Sequence, residues 1–130
     1  MGKSQSSGKK TLVIQVFMSN IEKCLAWNIP IADNIVLNET IVDSKTFYAQ
    51  TVYDKNRDLY TVTVSDLIWQ EYPHGTKFAL TQILFHELIH TCPQCFNHSK
   101  EWKKWVILLN EKHGCKINPH PYTTKLTPLY

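Results

Sequence analysis

Apolar residues recur at spacings of three and four in three stretches of the chain, which is the period of an amphipathic helix. The first stretch covers residues 11–28 and presents an apolar face of Ile14, Phe17, Ile21 and Leu25. The second begins near Thr76, after a Pro-His-Gly break, and stops near Thr91 because a proline follows. The third runs from near Ser99 to a glycine stop at Gly114.

Short segments rich in Val, Ile, Thr and Tyr lie between the first two helices and predict strands. Residues 35–37 and 40–42 are two such pieces. Residues 46–53 and 59–64 are longer and are joined by a polar turn at 54–58, which predicts a hairpin. The order of elements predicts an α+β fold: an N-terminal helix, a small sheet containing an antiparallel hairpin, a second long helix and a further helix.

The length of 130 residues corresponds to one domain. Residues 1–10 are polar and are interpreted as a flexible tail or a remnant of expression, with the domain at 11–130.

The sequence contains no apolar run of membrane-spanning length and no secretory signal pattern, so we expect no membrane association and a cytoplasmic location. Four cysteines in a reducing compartment are expected to be thiols.

The formal net charge of +3 comes from the first ten residues, since eleven basic and eleven acidic residues remain from Thr11 onward. The remaining charge is unevenly distributed, because residues 76–130 hold seven bases and three acids. The lysines of the last predicted helix are therefore able to attract an anionic partner such as DNA. The alternative is an ordinary solvated helix face.

The residue types most indicative of chemistry form a His-Glu-x-x-His motif from His86 to His90. On a helix, residues four apart lie on one face, so both imidazoles can bind one metal ion. Neutral imidazole is a preferred zinc ligand, and Glu87 would lie beside the ion as a general base for water. The motif predicts a zinc-dependent peptide hydrolase.

The helix that carries this motif has two different sides when it is laid out at 100° per residue. Leu80, Leu84 and Leu88 share one side, and His86 and His90 share the other. The leucine side is expected to face the core and the histidine side a cleft.

A catalytic zinc takes three protein ligands, so the two histidines require a partner. His98 is the best candidate, because a proline-containing turn can fold it back over the metal and a following helix can fix it. Glu101, Glu111 and the cysteine thiols remain alternatives. For stabilising an oxyanion, the chain offers only His74, His120 and Tyr122, each of which has a more ordinary surface or packing role.

Cys92 and Cys95 have the spacing of a zinc knuckle or a redox pair. A knuckle needs a second pair, and Cys24 and Cys115 do not have that spacing. Ordinary turn and core thiols are the simpler interpretation.

The segment from His86 to Trp102 resembles the SprT-like (Spartan) zinc metallopeptidases, in which His-Glu-x-x-His is followed by a histidine a few residues before an aromatic. Here the histidine is His98, after the Cys92–Cys95 turn. The resemblance implies a minimal zincin fold, zinc on His86, His90 and His98, and Glu87 as general base. It also implies an extended protein or peptide substrate held by an edge strand, which the hairpin can supply.

Some members of this family act on proteins crosslinked to DNA, so the resemblance extends to DNA as a partner. The sequence carries neither the paired-cysteine ribbon nor the long DNA-binding tail of those members. The alternative function is a non-catalytic binding module that keeps zinc as a structural staple and recognises protein or nucleic acid. A closed staple would have a fourth protein ligand, for example Cys92 or Cys95.

Overall fold

Residues 2–119 form one long helix, a small sheet and three further helices, which together give an α+β fold as predicted. The structure is a computed structural model that describes residues 2–119, with side chains from Gly8 onward. The elements are α1 (Gly2–Ala26), β1 (Ile35–Leu37), β2 (Ala49–Asp54), β3 (Leu59–Val64), α2 (Leu67–Glu71), α3 (Thr76–Ile89) and α4 (Lys100–His113).

The sheet has three strands in the order β1-β3-β2. β2 and β3 form the predicted hairpin, and β1 pairs with β3 in parallel, so the sheet is mixed. The Asp54 carboxylate accepts hydrogen bonds from the backbone N–H groups of Asn56 at 3.0 Å and Arg57 at 3.3 Å, which fixes the hairpin turn. Within the described residues, β2 is an edge strand, and it packs beside α3.

The expected strand at residues 40–42 is reduced to a single bridge between Val42 and Ser65. The side chain of Asn38 accepts a hydrogen bond from the N–H of Thr40 at 3.0 Å, which turns the chain directly after β1. This local turn competes with sheet pairing, so the β-branched residues here do not form a longer strand.

α1 begins at Gly2 and not near residue 11, so the stretch expected to be a tail continues the helix. Lys9 donates to the Asp66 carboxylate at 2.5 Å and lies 5.5 Å from the centre of the Trp69 ring. These two contacts attach the first turns to α2 and its cap. The domain boundary after residue 10 stays a prediction.

The buried face of α1 is rotated by about one residue from the predicted face. Ile14 and Leu25 are 44% and 62% exposed, whereas Val13 and Cys24 are buried. Two overlapping apolar stripes run along this helix, and the sequence pattern alone favours neither. The buried face also contains Asn20, whose side-chain amide donates to the Thr81 carbonyl of α3 at 2.9 Å.

α3 begins after Gly75, which has a φ of 83°, and ends at Ile89, close to both predicted limits. It packs against α1, α2, β2 and α4, so both of its sides are buried, including His86 and Glu87. The expectation of one core side and one cleft side was therefore too simple. On the histidine side α4 and β2 cover the helix, and the residues at its C-terminal end line a cleft.

α4 has the predicted caps at both ends. The Ser99 hydroxyl accepts a hydrogen bond from the N–H of Trp102, and Gly114 has a φ of 68°. Trp102, Val106 and Leu109 are buried on one face, as the periodicity predicts. Because Ser99 is the N-cap, His98 lies immediately before the helix and is held by it. No helix among residues 2–119 is long and apolar enough to cross a membrane.

Candidate metal centre

His86 lies in the last turn of α3 and His90 is its C-cap, and the four-residue spacing places their rings on the same side. Their Nε2 atoms are 3.2 Å apart, and both side chains are almost fully buried. The helix therefore supplies two imidazole nitrogens from one face, as the motif predicts.

His98 reaches the same point from the loop that follows α3. Cys95 donates its backbone N–H to the Cys92 carbonyl at 3.1 Å, and Gln94 takes a left-handed conformation with a φ of 63°. The Ser99 hydroxyl then donates to the Gln94 carbonyl at 2.7 Å, which closes the loop. As a result, His98 Nε2 lies 3.1 Å from His86 Nε2.

The two contacts that His86 Nε2 makes with the other rings cannot both be hydrogen bonds, and the ligand atoms of all three residues lie within 4.8 Å of one another. An imidazole nitrogen has a single in-plane position for a proton or a lone pair, so His86 Nε2 can serve one partner. It has two, at 3.1 and 3.2 Å. For Zn–N bonds of ~2.0–2.1 Å, the nitrogens of a tetrahedral site lie roughly 3.3–3.4 Å apart, so the cluster fits a shared cation.

The surroundings keep all three imidazoles neutral, which is the form that binds a metal. Burial is the main cause: it lowers the pKa of His90 to about 4, of His86 well below its usual value, and of His98 in the same direction. His90 Nδ1 lies 2.9 Å from the Cys95 carbonyl oxygen. This carbonyl can only accept, so the ring proton of His90 is on Nδ1 and its Nε2 lone pair is free for a metal.

His86 differs from His90 in its second ring nitrogen. His86 Nδ1 is buried and has no hydrogen-bond partner among the described residues. Its ring is instead fixed by packing, because it lies between the other two imidazoles and the indole of Trp102. Trp102 is fully buried and touches all three rings, with centroid distances of 4.9 Å to His86, 5.6 Å to His90 and 4.6 Å to His98.

Glu87 lies beside the histidine cluster with its carboxylate buried. Oε2 is 3.8 Å from His86 Nε2, and Oε1 accepts a hydrogen bond of 2.8 Å from the Thr51 hydroxyl on β2. Burial raises the pKa of Glu87 to about 7, and the Thr51 hydrogen bond opposes that rise. A carboxyl group with this pKa can both take and release a proton near neutral pH, and a cation on the histidines would favour the ionised form.

The cluster opens to a cleft of about 380 Å³ between β2 and the loop that carries His98. Its walls are the segment leading into β2 and the first half of that strand on one side, and the loop on the other. The lining residues are Thr46, Phe47, Tyr48, Ala49, Gln50, Thr51, His86, Glu87, His90, Phe96, Asn97 and His98.

The structure does not bring the alternative ligands to the site. Among residues 2–119, the one group of three possible metal ligands consists of His86, His90 and His98, which leaves out Glu101 and Glu111.

The cysteines do not join the site either. All four are free thiols, as predicted, and burial raises the pKa of Cys92 to about 12 and that of Cys95 in the same direction. None of them belongs to the group of possible metal ligands among the described residues.

Of the residues considered for an oxyanion, His74 is exposed in the turn before α3 and does not line the cleft. His120 and Tyr122 lie outside the described residues. Sequence reasoning missed Thr51, because a threonine in a strand carries no signal that its hydroxyl meets a carboxylate 36 residues away.

Comparison with known proteins gives no match: no protein-family model, curated protein or solved structure matches this chain. The resemblance to SprT-like metallopeptidases therefore rests on the motif and its spacing. What the geometry defines is a class of site, a buried cluster of three histidines able to hold a metal ion.

Proposed function

We propose that this protein is a zinc-dependent metallopeptidase of the SprT-like kind. The observation that carries the proposal is the convergence of three neutral imidazoles with a buried carboxylate whose Oε2 is 3.8 Å from His86 Nε2. Hydrolysis requires a base beside the metal, and the Glu87 carboxylate lies at that place.

His86, His90 and His98 would hold the zinc, which supplies a Lewis acid that polarises a peptide carbonyl and acidifies water. Glu87 then acts as general base: it accepts a proton from the attacking water and passes it to the leaving amine. Its position suits this role, because Oε1 is held by Thr51 and Oε2 faces the histidine cluster.

The edge strand β2 is suited to hold the substrate. It pairs with β3 on one side, and the segment from Thr46 to Thr51 lines the cleft on the other. An extended peptide can therefore add to β2 as a further strand, which brings one of its carbonyls past the histidine cluster. This arrangement favours a flexible protein segment or peptide as substrate.

The set of possible ligands argues against the alternative, which is a structural zinc site with four protein ligands. Among the described residues, no fourth histidine, cysteine or carboxylate joins the three imidazoles, and three protein ligands are the usual number for a catalytic zinc. Association with DNA through the lysines of α4 and a cytoplasmic location stay predictions.

The proposal is tested by incubating the zinc-loaded protein with casein and with a degenerate peptide library, and by reading the cleavage products by mass spectrometry. Wild type is expected to cleave, and Glu87→Gln is expected to bind zinc equally but to lose about 10²–10⁴-fold in kcat, the usual contribution of a general base. Cleavage by Glu87→Gln at the wild-type rate, or no cleavage by the zinc-loaded wild type, would overturn it.

A further inference from the structure

Thr51 connects the edge strand to the carboxylate of the site. It lies within β2 opposite Val62 of the central strand, and this pairing fixes its backbone. Its Oγ1 is 2.8 Å from Glu87 Oε1, so a short strand hydrogen-bonded along its length places one hydroxyl against one carboxylate oxygen.

This hydrogen bond determines which oxygen of Glu87 faces the histidines. Thr51 occupies Oε1, and Oε2 is left on the side of His86 Nε2 at 3.8 Å. Since a carboxylate attached through a flexible side chain can rotate, a fixed donor on one oxygen removes most of that freedom. The other oxygen is thereby held in a position to accept a proton.

The hydroxyl has a second acceptor within reach, the backbone carbonyl of Glu87 at 3.1 Å. That carbonyl also accepts the N–H of His90 at 3.1 Å, so it does not depend on Thr51. When Oε2 accepts a proton, Oε1 becomes the carbonyl oxygen of the carboxylic acid and still accepts the hydrogen bond from the Thr51 hydroxyl. Thr51 can thus remain hydrogen-bonded to Glu87 before and after proton transfer.

We propose that Thr51 is a positioning residue for peptide hydrolysis, and that its hydroxyl holds the Glu87 carboxylate in the orientation in which it accepts the proton of water. The inference rests on the proposed function and adds to it a residue outside the His-Glu-x-x-His motif. The methyl group of Thr51 contributes packing alone, so a serine is expected to serve and an isosteric valine is not.

The first test compares Thr51→Val with Thr51→Ser in zinc-loaded protein. Thr51→Val is expected to lower kcat by about 10-fold to 100-fold, the range seen when a residue supporting a metal site is removed, with KM changed by less than about twofold. Thr51→Ser should retain most of the wild-type kcat. Thr63→Val is the matched control, since Thr63 is buried on the neighbouring strand and its hydroxyl meets Asn38 and not Glu87.

The second test does not depend on activity. In cobalt-loaded protein, the absorption spectrum reports the binding of two probes: acetohydroxamic acid, which brings a proton that a carboxylate beside the metal can accept, and azide, which brings none. Thr51→Val is expected to weaken acetohydroxamic acid by about 10-fold and to leave azide and cobalt affinity unchanged. Thr51→Ala replaces Thr51→Val if the valine variant does not fold.

The two tests separate this inference from the proposed function. If wild type cleaves peptides and Thr51→Val matches it in kcat and in acetohydroxamic acid affinity, the role of Thr51 is overturned and the metallopeptidase proposal stands. If wild type cleaves no peptide, the proposed function fails, and the probe measurements still decide whether Thr51 holds the carboxylate. Equal weakening of both probes would also overturn the inference, because it would indicate general damage to the site.

Discussion

The two sides of the metal centre are built in different ways. The histidine side comes from residues 86–98, a short stretch in which one helix turn and one loop bring three imidazoles together. The carboxylate side depends on Thr51, which is 36 residues from Glu87 in sequence and reaches it only through the packing of β2 on α3. The histidine cluster is thus encoded locally, whereas the orientation of the Glu87 carboxylate depends on the tertiary fold.

The largest effect is expected when one of the three histidines is removed. His98→Ala removes one of three ligands, so zinc affinity should fall by ~100-fold or more, and peptide cleavage should be lost at limiting zinc. Competition with a chromophoric chelator measures the affinity. His74→Ala is the matched control, because His74 is exposed and distant from the cluster, and unchanged affinity is expected. Equal zinc affinity in His98→Ala and wild type would remove His98 from the ligand set.

A smaller effect is expected from changing Trp102, whose indole contacts all three imidazole rings. Trp102→Phe keeps an aromatic ring but loses volume and the indole N–H near the His86 carbonyl, so zinc should bind about 10-fold more weakly. Trp105→Phe makes the same change one turn of the helix away, at a half-buried position, and serves as the control. Isothermal titration calorimetry should show weaker zinc binding by Trp102→Phe than by Trp105→Phe. If both lower zinc affinity equally, Trp102 acts through stability of α4 and not through the rings.

The smallest effect is a pH dependence in which the two sides act with opposite sign. For the metal-free protein, the pKa of His90 is lowered from 6.5 to about 4, so the unfolded chain binds more protons in that window and stability rises with pH. The pKa of Glu87 is raised from 4.5 to about 7, so the folded state binds more protons there and stability falls as pH rises. Between about pH 4.5 and 6.5 the two contributions oppose each other.

Removing the Glu87 carboxylate should therefore leave the increase of stability with pH that comes from His90 without an opposing contribution. For metal-free Glu87→Gln, the free energy of unfolding is expected to rise more steeply with pH across this window than for wild type, by up to about 1.4 kcal/mol per pH unit. Urea denaturation at a series of pH values with a chelator present measures this slope. Parallel slopes for the two proteins would contradict the buried, proton-binding state of Glu87.

The same contrast explains which parts of the structure could be predicted from the sequence. The limits of α3 and α4 were predictable, because Gly75, Ser99 and Gly114 act locally on the chain. The three histidines were predictable for the same reason, since helix periodicity and a proline-containing turn are short-range features. The zincin fold and the peptidase activity are not settled by these features and remain with the proposal.

Features that depend on long-range packing were not predictable. The buried face of α1 depends on its packing against α3, including the hydrogen bond from Asn20, and no local pattern contains these contacts. Burial of both sides of α3 follows from the way in which α1, α4 and the sheet surround it. Thr51 belongs to the same group, because only the finished sheet places its hydroxyl beside Glu87.

The most direct test of the central claim is X-ray absorption spectroscopy at the zinc edge of the loaded wild-type protein. We expect three imidazole nitrogens at ~2.0–2.1 Å, a further oxygen donor and no sulfur, at one zinc per chain. A sulfur shell at ~2.3 Å, or a fourth imidazole, would contradict the account, because the ion would then be a closed structural staple and not part of a hydrolytic site.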